Sequence, residues 1–323
     1  MRKRYMLALI ILLIISGAAL TFGQGWFNWS PGGMGPGMMG GMMQLMRWFR
    51  GGEIKVDLSG PRPEVTQKLL WEGRQVYERT CAACHGLKGD GKGPNAKYLI
   101  SKPRDFTLGV FKFRSTPSGS LPTDEDLFIT ISKGLRGTAM LPWFNLTKRQ
   151  KWAVIAYIKT FSDRWEEEEP DPPIRIPKID SKQYARLVKK GRQVFLSAKC
   201  WQCHGKEGHG DGPKAFKLKD DWGNPIRPRD YDHEKFKRGS SIKDIYLTVA
   251  TGLDGTPMPS HLDTLPEQDI VAVAAYVNSL ARKRFQNIFA MGMTPDERVG
   301  MMVYHMGTMM GGGMMMRGPM MMR

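Results

Sequence analysis

The amino-acid sequence predicts an all-α fold made of two tandem domains, with disordered Met/Gly-rich ends. Three observations carry this. The chain aligns with itself at an offset close to 119 residues, the mark of a repeated unit. In each copy the apolar residues recur at helical spacing behind capping signals. Between the copies, Glu166-Glu167-Glu168-Glu169 is followed by Pro170, Pro172 and Pro173, and a charge run joined to a proline cluster rarely sits inside a domain. The boundaries that follow are 1–25 for an N-terminal leader, 26–60 for a Met/Gly-rich linker, 61–165 and 181–285 for the domains, 166–180 for the acidic/Pro linker and 286–323 for a Met/Gly-rich tail.

Taken in order, the chain opens with Arg2-Lys3-Arg4, an apolar run from Tyr5 to about Ile15, and the small residues Ser16-Gly17-Ala18-Ala19. This is the pattern of a secretory signal, cleaved after Ala18 or Ala19. The uncharged stretch from Tyr5 to Phe22 also reaches the roughly 17–25 residues of a membrane span. Residues 1–25 therefore read as signal peptide or membrane anchor, and either reading exports the remainder. No cysteine stands near the N-terminus to carry a lipoprotein anchor.

In the first repeat, Val65 to Arg79 has helical period. Thr123 with Asp126 makes a capping box before Leu127-Phe128-Ile129, and Thr147 with Gln150 opens a helix through Trp152, Ile155, Ala156 and Ile158. The second repeat follows the same plan. Lys182 to Ala198 is helical, Ser241 with Asp244 caps a helix, and Pro266 opens one through Ile270, Val273, Ala274 and Val277. The matched segments are Gly73-Arg74-Gln75-Val76-Tyr77 with Gly191-Arg192-Gln193-Val194-Phe195, Gly91-Lys92-Gly93-Pro94 with Gly210-Asp211-Gly212-Pro213, and Pro103-Arg104-Asp105-Phe106 with Pro228-Arg229-Asp230-Tyr231. Further on, Gly134 to Met140 matches Gly252 to Met258, and Ala156-Tyr157 matches Ala275-Tyr276.

All four cysteines fall in two copies of one motif, Cys81-Ala82-Ala83-Cys84-His85 and Cys200-Trp201-Gln202-Cys203-His204. C-x-x-C-H is the attachment signature of c-type haem. Two cysteines three apart reach the two vinyl groups on one porphyrin edge, and the adjacent histidine offers a nitrogen to the iron. Zinc ribbons bring their C-x-x-C pairs within about 15–20 residues, whereas these pairs stand more than a hundred apart. A thioredoxin-like dithiol or a structural disulfide needs no histidine at that position. Two covalent haems and an exported chain agree, because the thioether bonds form outside the cytoplasmic membrane.

A carrier haem needs a sixth ligand, and methionine in that role raises the potential. The chain has 23 methionines, yet between Met46 and Met291 only Met140 and Met258 occur, at matched places in Gly/Pro loops. Loop context favours ligands over core filler. His209, His233 and His261 have no counterpart in the first repeat. They read as surface or locally bonded residues, with His261 near enough to Met258 to substitute for it. The carbonyls of Pro94 and Pro213 are candidate acceptors for the second ring N–H of His85 and His204. Arg104 and Arg229 recur beside proline and suit haem propionates or a neighbouring aspartate.

These residues resemble the class I cytochrome c family in a tandem dihaem form. The likeness spans Pro61 to about Arg164 and Ile174 to about Arg284. It rests on C-x-x-C-H, the G-x-G-P after it, the Gly-Thr-x-Met loop and the helix carrying Tyr157 or Tyr276. The resemblance implies an all-α fold, His/Met-ligated low-spin haem and periplasmic or membrane-linked electron transfer. Met258-Pro259 matches the family's Met-Pro pair, and Met140-Leu141-Pro142 inserts one residue.

The expected function is an exported dihaem cytochrome at the periplasmic or outer face of the cytoplasmic membrane. It would relay single electrons between a membrane respiratory complex and a terminal oxidase or periplasmic reductase. The net charge of +17 favours acidic or membrane-embedded redox partners. Nucleic acid lacks any recognition motif here. No proton-transfer or nucleophile constellation marks an enzyme. The alternatives are a dihaem enzyme such as a peroxidase, which needs an open sixth position, and a haem subunit of a larger oxidoreductase complex. Pro31 to Met46 and Met291 to Arg323 are rich in Met and Gly, and their thioethers suit Cu(I) or serve as contact segments without metal.

Overall fold

Pro36 stands at the first position of the first helix, α1 (Pro36–Phe49), where its missing N–H costs nothing. The structure, a computed structural model, describes residues 36–284 and 293–311. The signal or anchor at 1–25 lies outside the described residues. The chain divides into a unit ending at Met43 and one beginning at Gln44, and the two haem modules belong to the second. The described residues form helices, short 3-10 turns and one isolated bridge, Lys219–Pro225, with no strand among them. Among them, no helix is long and apolar enough to cross a membrane.

The first module begins where the Thr66 hydroxyl accepts the Leu69 N–H at 3.2 Å, fixing the start of α2 (Gln67–Thr80). The motif turn α3 (Ala82–His85), then α4 (Asp124–Lys133), α5 (Lys148–Lys159) and the short α6 (Arg164–Glu167) complete it. Both expected capping boxes close reciprocally, Thr123 with Asp126 and Thr147 with Gln150. The second module repeats the order as α7 (Tyr184–Ser197), α8 (Trp201–His204), α9 (Ile242–Thr251) and α10 (Glu267–Arg284). The Asp244 N–H donates to the Ser241 hydroxyl at 3.1 Å, and Pro266 immediately precedes α10.

Each module is built on one helix crossing, α2 with α5 in the first and α7 with α10 in the second. A Cβ at Gly73 would collide with the Ala153 carbonyl and one at Gly191 with the Ala272 carbonyl, so α2 meets α5, and α7 meets α10, backbone to backbone. The first core gathers Val76, Tyr77, Phe106, Leu127, Phe128, Trp152 and Ile155. The second gathers Phe195, Tyr231, Tyr246, Ile270, Val273 and Val277.

The Met/Gly-rich ends contain two helices that the sequence reading did not anticipate, α1 and α11 (Pro295–Gly311). Leu45 and Trp48 from the first, and Val303 and Tyr304 from the second, are buried in the core of the first module. The fully buried Glu297 of α11 accepts the Gly137 N–H at 3.0 Å and the Lys235 ammonium at 3.0 Å. Asp296 accepts the Ile100 and Ser101 N–H groups at 3.0 and 2.9 Å. Gly300 lies so close to Ala139 that a Cβ would come within 2.5 Å of its carbonyl. This helix therefore braces the loop that carries Met140. The Thr294 and Glu297 capping box was the overlooked signal, readable as Thr294-Pro295-Asp296-Glu297.

Polar contacts join the modules. Arg114, fully buried, donates to Asp254 Oδ1 at 2.9 Å and to the Thr251 carbonyl at 3.0 Å. Arg238 returns a bond to the Arg114 carbonyl at 2.7 Å. The acidic segment after α6 runs along the first module, where Ile174 N–H donates to the Ser115 carbonyl at 2.8 Å.

Candidate haem sites

The motif residues fold as one helical turn. His85 N–H donates to the Cys81 carbonyl at 2.9 Å, and His204 N–H to that of Cys200 at 3.0 Å. A turn of this kind sets two cysteines three apart on one side, with the histidine beside them. Gly86 and Gly205 end it with φ of 79° and 77°, a conformation that favours glycine. The Gly-x-Gly-Pro segments then press on the turn. A Cβ at Gly93 would stand 2.5 Å from the Ala82 carbonyl, and one at Gly212 2.5 Å from the Trp201 carbonyl.

The second ring nitrogen of His85 finds a different partner from the one expected. Its Nδ1 lies 2.9 Å from the Arg104 carbonyl, not that of Pro94. Both Pro94 and Pro213 are exposed, and the buried glycines ahead of them carry the close approach to the turn. Donation from Nδ1 leaves Nε2 with its lone pair, the form a metal needs. In the second module the Arg229 carbonyl faces His204 and opposes its pKa shift. It falls short of hydrogen-bond geometry, so His204 Nδ1 is buried without a partner. Burial pushes both imidazoles down to about 4, which keeps them neutral at pH 7. His85 stacks on Phe106 at 4.5 Å and His204 on Tyr231 at 5.0 Å. Burial likewise raises the Cys81, Cys84 and Cys200 thiols to about 11, the reverse of an activated redox dithiol.

The methionine loops are copies of one design. The Thr138 hydroxyl donates to the Leu135 carbonyl at 2.7 Å and accepts the Met140 N–H at 3.1 Å. Thr256 does the same with Leu253 at 2.7 Å and Met258 at 3.3 Å. Met140 and Met258 line one continuous cavity together with Cys81, Cys84, His85, Cys200, Cys203 and His204. Its volume is about 1800 Å³, against about 300–1,000 Å³ for a single ligand site. His261 also lines it, and its Nδ1 pairs with the Thr264 hydroxyl at 3.2 Å.

Cations crowd the part of the cavity where the modules meet. Arg104, from the first module, lies over the Trp222 ring at 4.6 Å, and its Nη1 would stand 3.2 Å from a Cβ at Gly255 of the second methionine loop. Arg229, from the second, would stand 3.7 Å from a Cβ at Gly137 of the first loop. Each arginine thus reaches the other module's loop. Of the two readings of Arg229, the neighbouring aspartate is not its ion-pair partner: Arg229 pairs with Glu234 at 2.8 Å. Burial depresses Arg104 to about 10, Lys112 to about 8 and Lys237 to about 7; repulsion adds to this for the lysines, and Asp220 and Asp221 near Arg104 and Lys112 offset it only in part. Lys112 and Lys237 escaped the sequence reading, although Phe111-Lys112 and Phe236-Lys237 stand five residues after Phe106 and Tyr231. Paired thiols, a neutral histidine with an orphaned Nδ1, a large apolar cavity and under-compensated cations fit a covalent porphyrin with anionic side groups.

The comparisons agree with this chemistry. Residues 71–162 and 188–281 each match the family model for cytochrome c. The chain belongs to the cytochrome c family, as a tandem of two such domains, and membership implies covalently bound haem c at the two C-x-x-C-H turns. A solved chain from the Kuenenia stuttgartiensis reducing HAO-like protein complex is similar at 44% identity and a TM-score of 0.63, covering 68% of this chain and 99% of that one. A search of curated proteins finds no match.

Proposed function

We propose that the protein is an exported dihaem cytochrome that relays single electrons through two adjoining haems. The observation that carries this is the single cavity lined by both C-x-x-C-H turns and both loop methionines. When bound, the haems supply the one-electron chemistry. The chain's residues set the conditions for it. Cys81, Cys84, Cys200 and Cys203 would carry the haems through thioether bonds, and His85, His204, Met140 and Met258 would hold the irons. Arg104, Arg229, Lys112 and Lys237 offset the propionates. Phe106 and Tyr231 keep water from the histidines. Export follows from the residues before Phe22, and the basic surface suits acidic partners.

A second reading makes this cytochrome the haem subunit of a larger oxidoreductase complex. It rests on the likeness to a chain of a reducing HAO-like protein complex. Purification of the native protein from its membranes, with or without a stoichiometric partner, separates subunit from free carrier.

The test of the relay is a spectroscopic redox titration of the holoprotein. Two low-spin haems, each with the weak far-red band of methionine-bound ferric iron, are expected. A high-spin or strongly lowered haem overturns the relay and directs the search to peroxide turnover at that iron.

A further inference from the structure

The loop beside the second haem turn carries a cluster that the first module lacks. One ring nitrogen each from His209 and His233 and a carboxylate oxygen from Asp232 all lie within 4.8 Å of one another. The backbone that assembles them is common to both modules. Tyr231 N–H donates to the Gly208 carbonyl at 2.8 Å, and Phe106 N–H to the Gly89 carbonyl at 2.7 Å. Asp230 Oδ1 accepts the Asp232 and His233 N–H groups at 2.9 and 3.0 Å, while Asp105 Oδ1 accepts the Thr107 N–H at 2.9 Å. On this shared frame the first module has Asp90, Thr107 and Leu108 where the second has His209, Asp232 and His233. The frame therefore does not require the two histidines, and only one copy holds the full donor set.

Asp230 orients His233 and stands close to His209. Its Oδ2 lies 3.0 Å from His233 Nδ1, and its Oδ1 lies 3.6 Å from His209 Nδ1. A carboxylate on Nδ1 leaves Nε2 to ligate, the arrangement by which outer carboxylates orient metal-binding histidines. His233 Nε2 stands 4.0 Å from Asp232 Oδ2. Tetrahedral ligands with bonds of about 2.0–2.2 Å stand roughly 3.3–3.6 Å apart, so modest side-chain rotation at this surface closes the site. Imidazole and carboxylate suit first-row divalent ions, and three protein ligands leave a position open.

We propose that His209, Asp232 and His233 bind a divalent transition-metal ion, and that the bound ion raises the potential of the second haem. The link is short. Tyr231, between Asp230 and Asp232, stacks on His204, and Gly210 N–H donates to the His204 carbonyl at 2.8 Å. A positive charge there favours the haem state that has gained an electron.

Zinc is the probe. The holoprotein is dialysed against zinc and its metals counted, with iron as the internal ruler. One zinc per two irons is expected, lost in His233→Leu and in Asp232→Thr, which install the first module's residues, while both keep the wild-type haem spectrum. Zinc should also move one of the two redox waves upward and leave the other in place. No retained zinc, or the same zinc in both variants, overturns the site. Retention with neither wave moved overturns the coupling.

Discussion

Lys237 shows what a single half-buried charge does beside a redox centre. Burial, with repulsion from Arg229 and Lys112, brings its ammonium down to about 7. Electron uptake nearby favours the protonated form, so the midpoint potential should fall as pH rises from about 7 upward, where the oxidised protein loses that proton. Lys237→Met should flatten the slope and lower the potential at pH 6, since removing a cation favours the more positive haem. Redox titrations between pH 6 and 9 measure both effects. A pH-independent wild type would deny the lysine this role. Residues at this scale were unevenly legible. The cysteines, histidines and loop methionines announce themselves by spacing. The acceptor of His85 did not, because a carbonyl's direction depends on the path of the backbone, and the path puts Arg104 where Pro94 was expected. Lys112 and Lys237 gain their character only when the two modules meet.

Helices set the tolerance of each module. Gly73 and Gly191 allow α2 and α7 to touch the helices they cross. Gly73→Ala should cost about 1–3 kcal/mol through overpacking, seen as a lowered thermal midpoint of the holoprotein, and Gly191→Ala should do the same. An unchanged midpoint would mean that the crossing opens freely. The brace by α11 makes a separate prediction. Glu297→Ala strands Lys235, whose side chain is 10% exposed, and removing one partner of a buried pair costs about 3–5 kcal/mol. The far-red band of the first haem should weaken while the second keeps its own. Lys235→Met in the same chain should recover part of the stability. The core helices were readable from caps and period, and the Thr123, Thr147 and Ser241 caps all form. Helices α1 and α11 were hidden by glycine and methionine, whose composition reads as low complexity even where Trp48 and Val303 are buried.

For the whole molecule, the interface between modules is also the support of both methionine loops. Arg114 grips Asp254 in the second loop, and Lys235 reaches the first through Glu297. The modules should therefore unfold together. Arg114→Ala removes the guanidinium that bonds both the Thr251 carbonyl and Asp254, and should split one thermal transition into two. Calorimetry of the holoprotein tests this, and two transitions already present in the wild type would refute it. The repeat made a tandem legible from residues alone. Nothing in the repeat declared that the copies face each other, since Arg114 and Asp254 are 140 residues apart.

The common cavity bears finally on how such a chain matures. A wall shared by two attachment turns cannot be completed by either one. Loading one porphyrin would leave its partner module with an unfilled apolar face, open to proteolysis. Attachment should then behave as an all-or-none step. Cells making the Cys200→Ser, Cys203→Ser chain would accumulate little singly loaded protein, and its scarcity would be a matter of turnover rather than of synthesis.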